Sequence, residues 1–239
     1  MLDVEPDLGA DLDPETLSCA REELLAPAIR LQWATNRGRW GPTKPQGHLG
    51  LLIVTGLLVR EVRLLGSASA EVLGEGDLIR PWGVDGESTL PVPAEIFWTV
   101  LLPCEVAILN PPFVRRAGRW PEVLARLTGR ALTRAQAQGL HDAVTNLKHV
   151  ETRLLVQFWH LAERWGRVGP EGISIEVPVT HEMLAKLVGA TRPSVTTALG
   201  HLAERGLLIR DSAAVWRLAP DARESLEPMP VQPDTRLAS

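Results

Sequence analysis

The stretch THEMLAKLVGATRPSVTTALGHL, residues 180–202, decides the fold of the C-terminal part of the chain. Its apolar residues recur at helical spacing, so we expect a first helix capped by Thr180 and a second with Pro193 in its first turn. Gly189 supplies the permissive backbone that a tight turn between them needs. A two-stranded hairpin at 207–218 follows. This order predicts a winged helix-turn-helix; the alternative is a helical hairpin in a core that has no DNA role.

Outward from this unit, one long helix is predicted from Thr133 to Trp165. Its apolar positions alternate steps of four and three residues, which is typical of a heptad seam. The rod would be about 50 Å long, which is hard to cover with one small sheet. We therefore expect it to join two copies of the chain, and a core helix lying across its own sheet is the alternative. The expected seam comprises Leu140, Val144, Leu147, Glu151, Leu154, Phe158 and Leu161.

The region before this helix has the pattern of a β domain. Pro14 to Gln32 is expected to form a helix with Asp13 as its N-cap. Strands at such short spacing indicate a sandwich, jelly roll or barrel. Apolar runs separated by Gly, Pro, Asp and Ser predict these strands at 49–54, 57–62, 71–73, 96–102 and 105–109.

Composition excludes several classes of protein. The 239 residues carry 25 Lys+Arg and 29 Asp+Glu, so a uniformly basic, histone-like coat is excluded, although a local basic face is not. The charge is uneven: residues 1–110 hold 8 basic and 16 acidic residues, whereas residues 111–168 hold 10 and 4. The acidic N-terminus and the short apolar runs indicate a cytoplasmic protein without a membrane span.

No catalytic or metal site is predicted. Cys19 and Cys104 are too few for a disulfide framework or a four-cysteine zinc site, and we expect both to be structural. A metal-dependent enzyme on the β domain would need clustered histidines, and only His48 lies there. The sequence has no phosphate-binding glycine loop, nucleophile elbow or His-Glu-x-x-His motif, so we expect no enzymatic activity.

The chain resembles the Crp/Fnr family of transcription regulators over roughly residues 45–220. The resemblance is strongest at 180–185, at LVGATRPSVT (187–196) and at 198–208, and it continues at LGEGDLIRPW (73–82) and CEVAIL (104–109). It implies an α+β fold with an N-terminal, jelly-roll-like β-roll sensor domain, a long dimerisation helix and a C-terminal winged helix-turn-helix. The expected divisions are 1–131 for the sensor, 132–168 for the dimerisation helix and hinge, 169–220 for the winged helix, and 221–239 for a disordered tail.

In this family the second helix of the motif enters the major groove of DNA. The resemblance makes Arg192 the candidate for a bidentate bond to guanine, with contact to phosphate alone as the alternative. Thr180 and Thr191, at helix N-termini, would hold phosphates. A frequent family pattern, Arg-Glu-x-x-x-Arg, keeps only its first arginine here, so a different operator is expected. The full set of candidate DNA contacts is Thr180, Thr191, Arg192, Ser194, Thr196, Thr197 and His201.

The sensor departs further from the family. Nucleotide-binding members carry Gly-Glu and later Arg-Ser/Thr, and these steps fall on Arg80-Pro81 and about Ala94-Glu95. A carboxylate where a phosphate needs a cation argues against a cyclic nucleotide in the usual pose, and no cofactor is predicted. Arg80 is a candidate relocated cation, and Trp82 and Trp98 are candidates to stack on a planar ligand. Core or surface roles are the alternative for all three.

The sequence therefore predicts a homodimeric, sequence-specific DNA-binding regulator whose effector is unknown or lost. Expected partners are double-stranded DNA with a near-palindromic operator, a second copy of the chain, and RNA polymerase as a further candidate. The alternative is a ligand-binding or protein-interaction module whose winged helix no longer reads DNA.

Overall fold

The computed structural model describes residues 1–32, 35–37, 48–80 and 94–226, which fold as two units that divide at Ala143 and Val144. The division differs from the predicted domain limits. The first unit contains a 3-10 helix (Pro6–Gly9), α1 (Pro14–Glu23), β1 (Ala28–Leu31), β2 (Thr35–Arg37), β3 (Gly50–Leu64), β4 (Ser67–Gly74), β5 (Leu78–Ile79), β6 (Glu95–Leu109), α2 (Pro111–Ala117) and most of α3 (Pro121–Thr145). The second contains α4 (Val150–Trp165), β7 (Gly166–Gly169), β8 (Gly172–Glu176), α5 (His181–Leu187), α6 (Arg192–Glu204), β9 (Leu208–Arg210), β10 (Val215–Leu218) and a 3-10 helix (Pro220–Leu226).

An antiparallel sheet in the order β1-β6-β3-β4 forms the first unit, with β2 paired to β6 and β5 to β3. The five predicted runs merge into fewer, longer strands because the chain passes through a bulge rather than a turn at Gly56. Gly56 has φ +91°, and a Cβ there would lie 2.7 Å from the Cys104 sulfur. Cys104 is buried, and burial raises its pKa to about 11, so the thiol is protonated at neutral pH and serves as packing.

The N-terminal helix is shorter than predicted. Asp13 does cap α1, and its carboxylate accepts from the backbone N–H of Glu15 and of Thr16, each at 3.1 Å. The helix ends at Glu23 rather than Gln32, because Pro27 disfavours helical geometry in the residue before it. The next residues instead pair with β6 as β1.

Ion pairs within the first unit account for its uneven charge. Arginines on α3 bind carboxylates of the acidic N-terminal segment. Arg130 bonds to Glu5 (2.7 Å) and Asp7 (2.6 Å), and Arg126 bonds to Asp11 through two nitrogens at 2.5 and 2.7 Å. Arg126 and Arg130 therefore neutralise the acidic N-terminus, and their charge is not evidence for a DNA-binding face.

The predicted continuous helix from Thr133 to Trp165 is wrong. It consists of the end of α3, which begins twelve residues earlier at Pro121, and of α4, with a break at residues 146–149. His149 has extended backbone (φ −104°, ψ 131°) and starts α4. The Arg153 side chain donates to the Leu147 carbonyl at 2.6 Å, which satisfies a group that the broken helix leaves without its usual partner.

The predicted dimer seam is correspondingly wrong in its second half. Leu154, Phe158 and Leu161 are 0–2% exposed in a single chain, and α4 packs on α6, β8 and β10. They therefore form the core of the second unit and cannot contact a second copy. The same heptad spacing fits a core helix, which was the alternative. Of the first four seam residues, Leu140 is 60% and Leu147 37% exposed, whereas Val144 is buried.

The second unit is a winged helix with an enlarged sheet. Its strands follow the order β7-β8-β10-β9, so the predicted ribbon pairs with a further hairpin. The tail is not disordered from Asp221 onward as predicted, because residues 220–226 form a 3-10 helix that contacts α4 and buries Ala222 fully. The rest of the predicted tail, 227–239, lies outside the described residues.

Candidate nucleic-acid interface

The two helices of the motif begin with the predicted threonine caps. The Thr180 hydroxyl oxygen accepts from the Met183 N–H at 3.2 Å, and that of Thr191 accepts from the Ser194 N–H at 3.3 Å. These two N–H groups are therefore occupied within the protein. The contacts of Thr180 and Thr191 with phosphate remain predictions that rest on their hydroxyl hydrogens and on the other first-turn N–H groups.

A tight turn sets the two helices against each other. Gly189 has φ +59°, and the Ala190 N–H donates back to the Ala185 carbonyl at 2.9 Å, which closes the end of α5. Arg153 on α4 completes this closure, since its guanidinium donates to the carbonyls of Val188 (3.2 Å) and Gly189 (3.0 Å). Arg153 was not predictable from the sequence, because its partners are backbone groups that no residue pattern marks.

Helix α6, the candidate recognition helix, divides into a buried and an exposed face as predicted. Its apolar side packs inward, and Arg192, Ser194 and Thr197 are exposed on its first two turns. Within the described part of the chain, the Arg192 guanidinium has no ion-pair partner. The exposed side chains give the helix a surface of hydroxyl and guanidinium donors. The residues that it buries are Val195, Ala198, Leu199 and Leu202.

Two of the candidate contacts are held by partners inside the unit. The Thr196 hydroxyl donates to the Arg192 carbonyl and lies 3.0 Å from Nδ1 of His181. His201 Nδ1 lies 2.9 Å from a carboxylate oxygen of Glu151. Their roles in DNA contact remain predictions, and each requires the existing bond to be kept or exchanged.

The wing turn at 211–214 is organised by Arg210, another residue that the sequence analysis missed. Its guanidinium donates to the carbonyls of Ser212 (3.1 Å) and Ala213 (2.8 Å) and lies 5.0 Å from the centre of the Trp216 ring. The Ser212 hydroxyl in turn accepts from the Val215 N–H at 3.2 Å. These bonds fix the loop of the wing, and the Arg210 guanidinium packs on the Trp216 ring beside it.

The charge around His181 gives this surface a pH response. Burial, followed by the nearby charges of Arg210 and Arg192, lowers the pKa of His181 from its usual 6.5. The neutral ring donates its Nδ1–H to Thr196, whose own hydrogen is used on Arg192.

Acid is expected to destabilise the winged helix through His181. A histidine with a lowered folded pKa contributes stability that is present above the unfolded pKa, near 6.5, and is lost as pH falls through the folded value. The urea midpoint should therefore fall more steeply between pH 7 and pH 5 in the wild type than in His181→Gln, whose amide keeps a donor for Thr196. His160→Gln, on α4, is the control and should keep the wild-type slope. Equal slopes in all three proteins would contradict the assignment.

Of the three candidate ligand residues of the first unit, the structure describes Arg80 and Trp98. Trp98 is 3% exposed and packs in an apolar cluster, so it has the core role that was the alternative. Arg80 is exposed, and Trp82 lies outside the described residues.

A partly buried ionic cluster that the sequence did not suggest lies between the strands and α3. Glu71 on β4 bonds to both Arg60 and Arg134 at 2.5 Å. Burial, with the like charge of Arg134, lowers the pKa of Arg60 against the opposing effect of Glu71. Across the described ranges, no three metal-binding side chains cluster, and no helix is long and apolar enough to cross a membrane.

Comparison with known proteins identifies the second unit. A family model for the Crp-like helix-turn-helix domain matches residues 152–221. The regulatory protein CysR of Synechococcus elongatus is 34% identical over 91 residues, which are 35% of this chain and 44% of that protein. The alignment thus spans less than half the length of this curated relative.

Solved structures share the fold of nearly the whole chain. FixK2 of Bradyrhizobium japonicum has a TM-score of 0.64 at 18% identity, covering 86% of this chain and 98% of that one. A CRP-family transcriptional regulator of Thermus thermophilus has a TM-score of 0.61 at 21% identity, covering 83% of this chain and 95% of that one. The second unit therefore contains a Crp-like helix-turn-helix domain, and the chain shares the fold of these solved structures.

Proposed function

We propose that this DNA-binding regulator acts in the cytoplasm as a homodimer that reads a near-palindromic operator through Arg192. The observation that carries the proposal is the outward face of α6, where Arg192, Ser194 and Thr197 are exposed while the opposite face is buried. The first turns of a recognition helix are the part that reaches base edges in the major groove. A guanidinium there matches the paired acceptors of guanine.

The exposed face of α3 supports the homodimer. Leu132 and Leu140 are 61% and 60% exposed, although large apolar side chains are usually covered. Ala135, Gly139 and Ala143 lie on the same side of the helix and are also exposed. Small residues between the leucines would let a second helix approach closely. The dimer would thus use α3 alone rather than a seam that continues into α4.

The protein is expected to be a dimer at micromolar concentration, with twice the 26.1 kDa mass of one chain by light scattering. Leu140→Glu should shift it towards monomer, because a carboxylate on this face cannot be buried without a partner. Ala203→Glu introduces the same charge at an exposed position of α6 instead of α3 and should remain dimeric. A wild-type monomer, or a Leu140→Glu dimer of wild-type strength, would overturn this part of the proposal.

Selection from genomic fragments tests operator recognition directly. Selective enrichment of a near-palindromic sequence, with half-sites about 34 Å apart, is the expected result. Unselective binding, with affinity that varies only with salt, would favour the alternative of a ligand-binding or protein-interaction module. A Crp-like helix-turn-helix domain agrees with the prediction that the chain is not an enzyme. The proposal also includes an effector for the first unit and a contact with RNA polymerase. Transcription in vitro from the recovered operators would test both.

A further inference from the structure

One carboxylate at the start of α4 engages the C-terminal half of the recognition helix. Glu151 accepts from Nδ1 of His201 at 2.9 Å and from the Arg205 guanidinium at 3.3 Å. The His201 Nδ1 carries its hydrogen in this arrangement, because an ionised carboxylate only accepts. The His201 imidazole and the Arg205 guanidinium thus both donate to one carboxylate, that of Glu151 on α4.

Three of the residues expected to contact DNA lie on the same face of α6 as Arg205. Ser194, Thr197, His201 and Arg205 follow one another at steps of three and four residues, which aligns them along one side of the helix. They line one wall of an open cleft of about 650 Å³, and the first turn of α4, including Glu151, lines the other. A DNA backbone that lies along Ser194 and Thr197 would therefore pass the mouth of the cleft where Glu151 sits.

The cluster is accessible to an incoming anion. The side chains of His201 and Arg205 are 55% and 53% exposed, and that of Glu151 is 32% exposed. Exposed ion pairs contribute little to stability, so exchanging the carboxylate for another anion costs little. A phosphate offers the same kind of acceptor oxygens as the carboxylate.

We propose that Glu151 occupies His201 and Arg205 in the free protein in place of a DNA phosphate and thereby limits binding to DNA of any sequence. The proposal rests on the proposed DNA-binding function. A phosphate that approaches this cleft must displace a carboxylate and remain close to its charge. Both effects weaken the binding to DNA of any sequence. Selectivity for an operator requires this unselective affinity to be small.

The test measures the affinity of the full-length protein for two duplexes of equal length, one with the selected operator and one with a scrambled sequence, as salt is varied. Glu151→Gln keeps the side-chain size and removes the charge. It should bind the scrambled duplex about threefold more tightly or more, with a salt slope about 0.9 steeper per subunit for each added phosphate contact. Arg205→Gln in the same background should return the slope towards that of the wild type.

The control is Glu204→Gln, which removes the same charge from an exposed position on α6 that is outside the cleft. It should change affinity less than Glu151→Gln and leave the slope unchanged. If Glu151 instead only holds α6 in place, Glu151→Gln will weaken binding to both duplexes. Binding of the scrambled duplex that is weaker than or equal to that of the wild type overturns the inference. A wild-type protein that binds neither duplex at low salt would refute the proposed function itself.

Discussion

Replacing Arg192 with alanine is expected to abolish selective binding to the operator while leaving unselective binding nearly intact. A bidentate arginine–guanine pair contributes about 1–3 kcal/mol of discrimination, and a homodimer presents two such pairs. The loss of operator affinity should therefore lie between about 30-fold and about 20,000-fold, if the half-sites add. Affinity for a scrambled duplex should fall only by the loss of one cation per subunit. Titrations of both duplexes at several salt concentrations measure the two effects separately.

Arg192→Lys separates reading of a base from contact with phosphate. Lysine keeps the charge but lacks the planar fork that spans the two guanine acceptors. It should lose most of the selectivity and keep the wild-type salt slope. If the lysine variant retains full selectivity, Arg192 contacts phosphate only, and the bases are read by other side chains on α6.

The winged helix was predictable because its signals are local. Thr180 and Thr191 cap their helices in the manner that their positions before apolar runs indicate, and Gly189 occupies the left-handed turn that only a permissive residue adopts readily. The inner face of α6 follows from helical periodicity alone. None of these features requires a partner that is distant in sequence.

The break between α3 and α4 was not predictable, because the apolar pattern remains in phase across it. Leu147 and Glu151 fit the heptad as well as Leu140 does, and no proline or glycine marks residues 146–149. The break is stabilised by Arg153, which bonds to the Leu147 carbonyl and to the turn after α5, about 35 residues away. Glu151 was predicted to lie in a dimer seam because it too fits the heptad. Its partners in the structure, His201 and Arg205, lie some 50 residues away on α6.

The β domain shows a similar limit of local reasoning. Gly56 and Pro103 indicate strand ends when each is considered alone. In the sheet they meet at one irregularity, where Thr55 pairs with Glu105 and Leu57 with Leu102, and both strands continue past it. The charge pattern likewise depends on pairs of residues distant in sequence, because Arg126 and Arg130 of α3 are neutralised by the N-terminal segment.

A large loss of stability in the second unit is expected from Arg153→Ala. Its guanidinium donates to three backbone carbonyls, those of Leu147, Val188 and Gly189, at 2.6–3.2 Å. Hydrogen bonds to charged groups contribute about 1.5–3 kcal/mol each, and water can replace part of this where the carbonyls become accessible. The unit should therefore lose about 2–4 kcal/mol, measured by urea unfolding.

The loss should be confined to the winged helix and should reach its DNA-binding surface. Hydrogen exchange should accelerate in the backbone around the Gly189 turn, because Arg153 fixes the carbonyls on which the angle between α5 and α6 depends. Arg153→Lys should recover only part of the stability, since one ammonium cannot span carbonyls at the ends of two separate helices. Arg164→Ala, on an exposed position of the same helix, should change stability by no more than about 0.5 kcal/mol. If Arg153→Ala is as mild as Arg164→Ala, the break after α3 must be maintained by the apolar packing of α4 alone, and operator binding should then survive the substitution.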